Sequence, residues 1–174
     1  MTLDHFVTPH LRGERLRPTH FPEVRRVQQD PDVMALLGGV RDADQTAAYL
    51  ERNLAHWDRY GHGVYLLREL GDDAVAGLGC LRHLQLDDQD EIEIGYSLFP
   101  AYWGRGLATE VARACLDLGF NRANAESLVA VTHPEHHASR RVMEKVGLSY
   151  DCTTLLDGQA VVLYRGWRTA PDPA

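Results

Sequence analysis

The chain has 174 residues, 44% of them hydrophobic and 25% charged, which is the length and composition of one globular domain over residues 1–174. Its formal net charge of −7 disfavours a nucleic-acid partner, because neutralising phosphates needs a basic face. The three cysteines are widely spaced, and the chain has neither a signal-peptide pattern nor an apolar run of about 20 residues. We therefore expect reduced thiols, a cytoplasmic location and no contact with a membrane.

The first part of the chain predicts a strand followed by two helices. A strand is expected at residues 14–17, a helix at 21–28, a turn at 30–32 and a flexible glycine loop at 36–41. Asp44 is the expected N-cap of the next helix and Gly61 its end. The apolar residues of that helix recur at helical spacing: Ala47, Leu50, Leu54 and Trp57.

The rest of the chain predicts an antiparallel meander followed by two helices and three further strands. Strands at residues 64–67, 75–84 and 91–99 form the meander. They are followed by a helix at 106–120, a strand at 128–131, a helix at 137–146, and a hairpin of strands at 148–155 and 160–164. This order describes an α+β fold with a mixed, mostly antiparallel sheet flanked by helices. Residues 169–174, TAPDPA, are expected to be a disordered tail.

The most specific pattern lies in residues 96–110, YSLFPAYWGRGLATE, where a strand runs through a glycine-rich turn into a helix. The unpaired N–H groups at such a helix start, together with its dipole, can hold a pyrophosphate. Arg105 could add a charge-assisted contact. The spacing matches neither a P-loop nor a dinucleotide fingerprint. The alternative is a helix start that needs glycine for its backbone alone.

The turn and the order of elements resemble the GNAT acetyltransferase superfamily. Gly106 and Ala108 fill the small positions of its phosphate loop, and Trp103 stands where Gln or Arg is usual. The stretch at 100–110 is similar to the ribosomal-protein N-terminal acetyltransferase branch, and the segments at 12–16, 93–96 and 139–148 extend the likeness over nearly the whole chain.

The resemblance implies acetyl-CoA as the acyl donor, with its pantetheine arm along the strand that ends at Leu98. A backbone N–H near Leu98 would polarise the thioester carbonyl. The residues that the resemblance assigns to the donor are Tyr96, Ser97, Leu98, Trp103, Gly104, Arg105, Gly106, Leu107, Ala108, Thr109, His136, Ser139 and Arg141.

Two catalytic roles are predicted. Glu93 is the first candidate to take the proton of the attacking amine, with Glu91 as the alternative on the same strand face. The competing interpretation is a solvated surface carboxylate.

The family's usual tyrosine acid is replaced by Met143, which we expect in the core. Ser139 matches the serine proposed as proton donor in the ribosomal-protein branch. It could equally cap the helix, and a CoA thiolate could leave unaided.

His136 stands where the family has asparagine and could still donate a hydrogen bond. His133, His136 and His137 lack a ligand partner at suitable spacing, so we expect no metal site.

For the acceptor we favour an α-amine, on a peptide N-terminus or a small molecule. With a pKa of about 7.7–8.0 it is substantially neutral at cellular pH, unlike lysine at about 10.4. Two other functions stay open: a non-catalytic acyl-CoA-binding module and a nucleotide-binding regulatory domain. The sequence does not decide the oligomeric state, and a homodimer is one alternative.

Overall fold

The computed structural model describes residues 3–86 and 88–168. The predicted tail at 169–174 lies outside these residues. The strands of the described part are β1 (His5–Val7), β2 (Leu11–Arg15), β3 (Val64–Glu69), β4 (Val75–Leu86), β5 (Gln89–Leu98), β6 (Ser127–Thr132), β7 (Ser149–Leu156) and β8 (Gln159–Trp167).

The helices are α1 (Phe21–Gln29), α2 (Pro31–Met34), α3 (Ala43–Tyr60), α4 (Leu107–Asp117) and α5 (His137–Lys145). Short 3₁₀ turns occupy Pro18–His20 and Pro100–Tyr102, and a π-helical turn at Leu118–Arg122 extends α4. Among the described residues, no helix is long and apolar enough to cross a membrane.

The strands form one mixed sheet in the order β1-β2-β3-β4-β5-β6-β8-β7. All neighbours are antiparallel except β5 and β6, which are parallel. The α+β fold class and the β3–β4–β5 meander predicted from the sequence are confirmed.

The helices cover the two faces of the sheet in pairs. Glu23 of α1 is 3.3 Å from Arg68 of β3, and α3 packs on α1. The opposite face carries α4 and α5, since a Cβ built on Gly79 of β4 would meet Val111 of α4. We call these the α1–α3 face and the α4–α5 face. Because side chains alternate along a strand, consecutive residues of β5 point to different faces of the sheet.

Three local predictions were wrong. Strand β1 was missed. The predicted turn at 30–32 instead begins α2, because the Asp30 side chain accepts hydrogen bonds from the N–H groups of Asp32 and Val33 at 3.0 Å. The N-cap of α3 is Asp42 rather than Asp44. Its side chain accepts from the Gln45 N–H at 2.8 Å, and the Gln45 side chain accepts from the Asp42 N–H at 2.9 Å.

This reciprocal capping box predicts that Asp42→Ala lowers the free energy of unfolding by about 1 kcal/mol. Asp44→Ala is the matched control. It removes an exposed acid from the first turn of α3 and should cost only about 0.3 kcal/mol. Urea unfolding followed by circular dichroism measures both, and a larger loss in Asp44→Ala would contradict the cap assignment.

Candidate active site

A gap opens in the sheet between β5 and β6. In the described part of the chain these strands pair at one position, Glu93 with Val129, and then diverge. Phe99 donates its N–H to the Ala76 carbonyl of β4 at 2.9 Å. Strand alternation therefore turns the Leu98 N–H away from β4 and into the gap. The gap thus offers a free strand edge to an extended ligand.

The glycine turn lies at the end of β5, where α4 begins. Gly104 and Gly106 have φ of 72° and 77°, a left-handed conformation that favours glycine. Nothing lies within 4 Å of a Cβ built at either residue, so a ligand can approach the backbone. The first helical bond runs from the Glu110 N–H to the Gly106 carbonyl, which leaves the N–H groups of residues 107–109 without intrahelical partners. This cradle fits a pyrophosphate.

Two side chains of the turn are already engaged. Arg105 forms an ion pair with Glu69 at 2.7 Å, and its guanidinium carbon lies 5.5 Å from the centre of the Tyr102 ring. Trp103 donates its indole N–H to the Leu98 carbonyl at 2.7 Å while half of the residue (53%) stays exposed. Trp103 therefore ties the turn to the end of β5.

Tyr96 and Ser139 meet on the α4–α5 face. The Tyr96 hydroxyl donates to the Ser139 carbonyl at 3.1 Å and lies 3.2 Å from Ser139 Oγ. Burial raises the pKa of Tyr96 to about 12, although its hydrogen bond with Ser139 lowers it. Sequence inspection missed this contact. The tyrosine lies on the strand face toward α5, but its partner depends on how that helix docks.

His136 is the N-cap of α5, a role that the sequence left open for Ser139. His136 Nδ1 accepts from the Ser139 N–H at 3.5 Å. The pKa of His136 is lowered by burial and by the neighbouring His133 and His137. A neutral ring that accepts at Nδ1 carries its proton on Nε2, which leaves Nε2 as a donor.

Glu93 lies on the α1–α3 face, at the position where β5 and β6 separate. It is 6% exposed and accepts a hydrogen bond from Arg82 Nε at 2.9 Å. The solvated surface carboxylate considered from the sequence is therefore wrong for Glu93. The two residues are directly opposite in the β4–β5 ladder, so the pair depends on register. Glu91, the alternative, is held by both terminal nitrogens of Arg165 at 2.7 and 2.9 Å.

Comparison with known proteins identifies the family. The family described as acetyltransferase (GNAT) domain matches residues 10–149. The uncharacterized N-acetyltransferase YnaD of Bacillus subtilis (strain 168) is 41% identical over 145 residues, which cover 83% of this chain and 82% of YnaD. The chain belongs to the GNAT acetyltransferase family. It is an acetyl-CoA-dependent acetyltransferase.

Solved structures share the fold. An acetyltransferase from Agrobacterium tumefaciens str. C58 superimposes with a TM-score of 0.82 at 26% identity, over 95% of both chains. RimL, named a ribosomal L7/L12 alpha-N-protein acetyltransferase in complex with coenzyme A, has a TM-score of 0.76 at 18% identity, over 93% of this chain and 96% of RimL.

The remaining predicted positions lie on β5, α4 and α5. Met143 is 2% exposed and packs into the core, as predicted. Ser97 is half-buried on the α1–α3 face, and Arg141 is exposed on α5. Leu107 is buried, whereas Ala108 and Thr109 are partly exposed in the first turn of α4. Within residues 3–86 and 88–168, no group of three or more His, Cys, Asp or Glu side chains could hold a metal ion.

The glycine turn yields a test of CoA binding. We expect Gly106→Glu to weaken CoA binding at least tenfold, because the side chain would occupy and repel the phosphate volume. Gly158→Glu is the matched control, since Gly158 also has a left-handed φ, of 76°, and open space around it, but lies in the β7–β8 turn. Calorimetry with CoA measures both. Equal affinity in wild type and Gly106→Glu would exclude the turn as the phosphate site.

Proposed function

We propose that this protein is a cytoplasmic N-acetyltransferase that moves an acetyl group from acetyl-CoA to a primary amine by direct attack on the thioester in the gap between β5 and β6. The observation that carries this proposal is the divergence of these strands after Glu93, with the glycine turn at the end of β5. An amine that reaches the gap from the α1–α3 face meets a thioester held from the α4–α5 face. The test is release of free CoA in the presence of candidate amines.

Acetyl-CoA, the acetyl donor, is proposed to bind along the edge of β5, at the glycine turn and at the start of α5. The backbone N–H groups of residues 107–109 would hold the pyrophosphate, and the Leu98 N–H would stabilise the oxyanion. The full set proposed to contact the donor is Tyr96, Ser97, Leu98, Trp103, Gly104, Arg105, Gly106, Leu107, Ala108, Thr109, His136, Ser139 and Arg141.

We assign proton removal from the amine to Glu93. It lies at the vertex of the gap, whereas Glu91 lies two residues nearer the closed end of the strand pair and is held by Arg165. Arg82 donates a hydrogen bond to Glu93 Oε2, so this carboxylate is already engaged before an amine arrives. An α-amine suits such a site, because a large fraction of it is neutral at cellular pH. RimL, which shares the fold, is named an alpha-N-protein acetyltransferase.

On the other face, Ser139 would donate a hydrogen bond to the departing sulfur. Tyr96 is too weak an acid to protonate a thiolate, since its pKa of about 12 lies well above that of a thiol, about 8.5. Its hydroxyl can instead hold the first turn of α5 and orient Ser139. We therefore assign Tyr96 a positioning role beside its contact with the donor.

A mutation of Glu93 tests the base. We expect Glu93→Gln to lower kcat/KM about a hundredfold near neutral pH and less at alkaline pH, where the amine is already deprotonated. Glu91→Gln is the matched control, because it also removes a half-buried carboxylate of β5 from an arginine pair, and it should lose less activity. Superimposable pH–rate profiles for Glu93→Gln and wild type would reject the assignment.

A mutation of Tyr96 tests the positioning role. Because burial keeps the phenol protonated up to about pH 12, Tyr96→Phe should lower kcat about tenfold without moving either limb of the pH–rate profile between pH 6 and 10. Ser139→Ala should lower kcat as much, and the double mutant should lose little more than either single mutant. Additive losses would show that the two residues act separately.

A non-catalytic acyl-CoA-binding module would behave differently in the same assays. It would bind CoA through the glycine turn and release no CoA with any amine. Turnover of any one acceptor therefore excludes this alternative, and the acceptor screen decides between peptide and small-molecule amines.

A further inference from the structure

The Arg82 guanidinium is hydrogen-bonded through Nε, whereas its two terminal nitrogens have no such partner among the described residues. Its Nε–H donates to Glu93 Oε2 at 2.9 Å, and in the part of the chain that the structure describes this is the only hydrogen bond of its side chain. Its side chain is nevertheless 32% exposed. The two terminal nitrogens of the guanidinium are therefore available to a ligand on the α1–α3 face.

Glu93 makes the edge that carries these two nitrogens rigid. The carboxylate side chain is 8% exposed, and it lies across the β4–β5 ladder from Arg82. Arg82 is held in its charged form chiefly by Glu93, which raises the pKa of the guanidinium above its ordinary value. A planar guanidinium fixed on one side can offer two parallel N–H groups to a carboxylate with little further loss of freedom. A half-buried ion pair is by itself a weak source of stability, so stability alone does not account for this arrangement.

A second arginine adds to the positive charge of this face. The guanidinium carbon of Arg41 lies 5.1 Å from the ring centre of Tyr49 of α3. Burial raises the pKa of Tyr49, while the charges of Arg82 and Arg41 act in the opposite direction. Both arginines are therefore close enough to act on one phenol.

Glu93 opposes the two arginines in their action on the Tyr49 phenol. Asp42, the next residue along from Arg41, already accepts the Gln45 N–H in the capping box. Both carboxylates keep their negative charge, so the charge of this face does not by itself select the acceptor. The oriented terminal N–H groups of Arg82 favour an acceptor that carries an anionic group.

We propose that Arg82, oriented by Glu93, binds a carboxylate of the acceptor, so the acceptor combines a primary amine with a carboxylate a few bonds away. This inference rests on the proposed acetyl transfer at the same site. The amine lies beside Glu93 at the vertex of the gap, and the carboxylate lies against the terminal nitrogens of Arg82. A free α-amino acid offers this chemistry through its own carboxylate. A peptide with an acidic first residue offers it through the side chain.

Acceptor pairs that differ in one carboxylate test the proposal and separate these sources. Their kcat/KM is expressed per neutral amine, because the carboxylate also raises the pKa of the α-amine. Alanine is compared with alaninamide, and an Asp-Ala amide dipeptide with its Asn-Ala counterpart. Loss of a charge-assisted hydrogen bond is expected to lower kcat/KM about tenfold to a hundredfold, through a higher KM for the acceptor. Preference within the first pair identifies a free amino acid, and preference within the second identifies an acidic peptide N-terminus. No preference in either pair, or faster turnover of spermidine, overturns the proposal.

Arg82→Lys tests the residue itself. Lysine keeps a positive partner for Glu93 but has no second edge for a carboxylate. The preference for the carboxylate acceptor should fall to near one, while the KM for acetyl-CoA stays within about twofold of wild type. Arg52→Lys, at an exposed position on α3, is the control and should keep the full preference. The same preference in Arg82→Lys as in wild type overturns the assignment.

Product binding separates this inference from the proposed function. Calorimetry compares N-acetylalanine with N-acetylalaninamide, and the acetylated Asp dipeptide with its Asn counterpart, in the presence of CoA. Tighter binding of a carboxylate product by wild type, lost in Arg82→Lys, supports the subsite even if no amine is turned over. Absence of turnover with all amines would reject acetyl transfer alone. Equal binding within both product pairs would reject the subsite alone.

Discussion

The separation of β5 from β6 determines what the rest of the site can do. Within the described residues these strands share one register pair, at Glu93 and Val129, so most of β5 is bonded to β4 alone. Its free edge can pair with an extended ligand, as a missing strand would. Because side chains alternate, Glu93 faces α1 and α3 while Tyr96 faces α4 and α5. The two faces of one strand can thus contact the two substrates, the amine acceptor on the α1–α3 face and acetyl-CoA on the α4–α5 face.

The end of β5 is held in place by two unusual contacts. Gly77 of β4 has a φ of 153°, and a Cβ at this position would overlap the Ser97 carbonyl oxygen. Only glycine lets β4 approach β5 so closely at this point. Beyond the strand, Trp103 occupies the Leu98 carbonyl with its indole N–H. The Leu98 carbonyl is thus already hydrogen-bonded, and the Leu98 N–H is the group that remains directed into the gap. An oxyanion requires a hydrogen-bond donor of this kind.

The sequence predicted those parts of the site that depend on local pattern. Alternating residues in 91–99 and the glycine turn at 104–106 were sufficient to place β5 and the start of α4. Contacts between residues that are distant in the sequence could not be predicted from such local patterns. The Arg82–Glu93 pair requires the β4–β5 register, and the Tyr96–Ser139 contact requires the docking of α5. The α3 cap was misplaced for a local reason, because Asp42 and Asp44 both suit an N-cap and only the reciprocal bond with Gln45 separates them.

Charge is distributed so that an acidic protein can bind anionic ligands. The net charge of −7 repels CoA and acidic acceptors at long range, but salt screens exposed charges beyond about 8–10 Å. Attraction must therefore come from groups within a few ångströms. At the glycine turn Arg105 is paired with Glu69, so the unpaired amides and dipole of α4 are the main attraction for phosphates. On the other face Glu93 neutralises one edge of Arg82 and leaves the other open. The glycine turn and Arg82 thus both offer oriented N–H groups that act at short range. Such groups select an anion by its shape as well as by its charge.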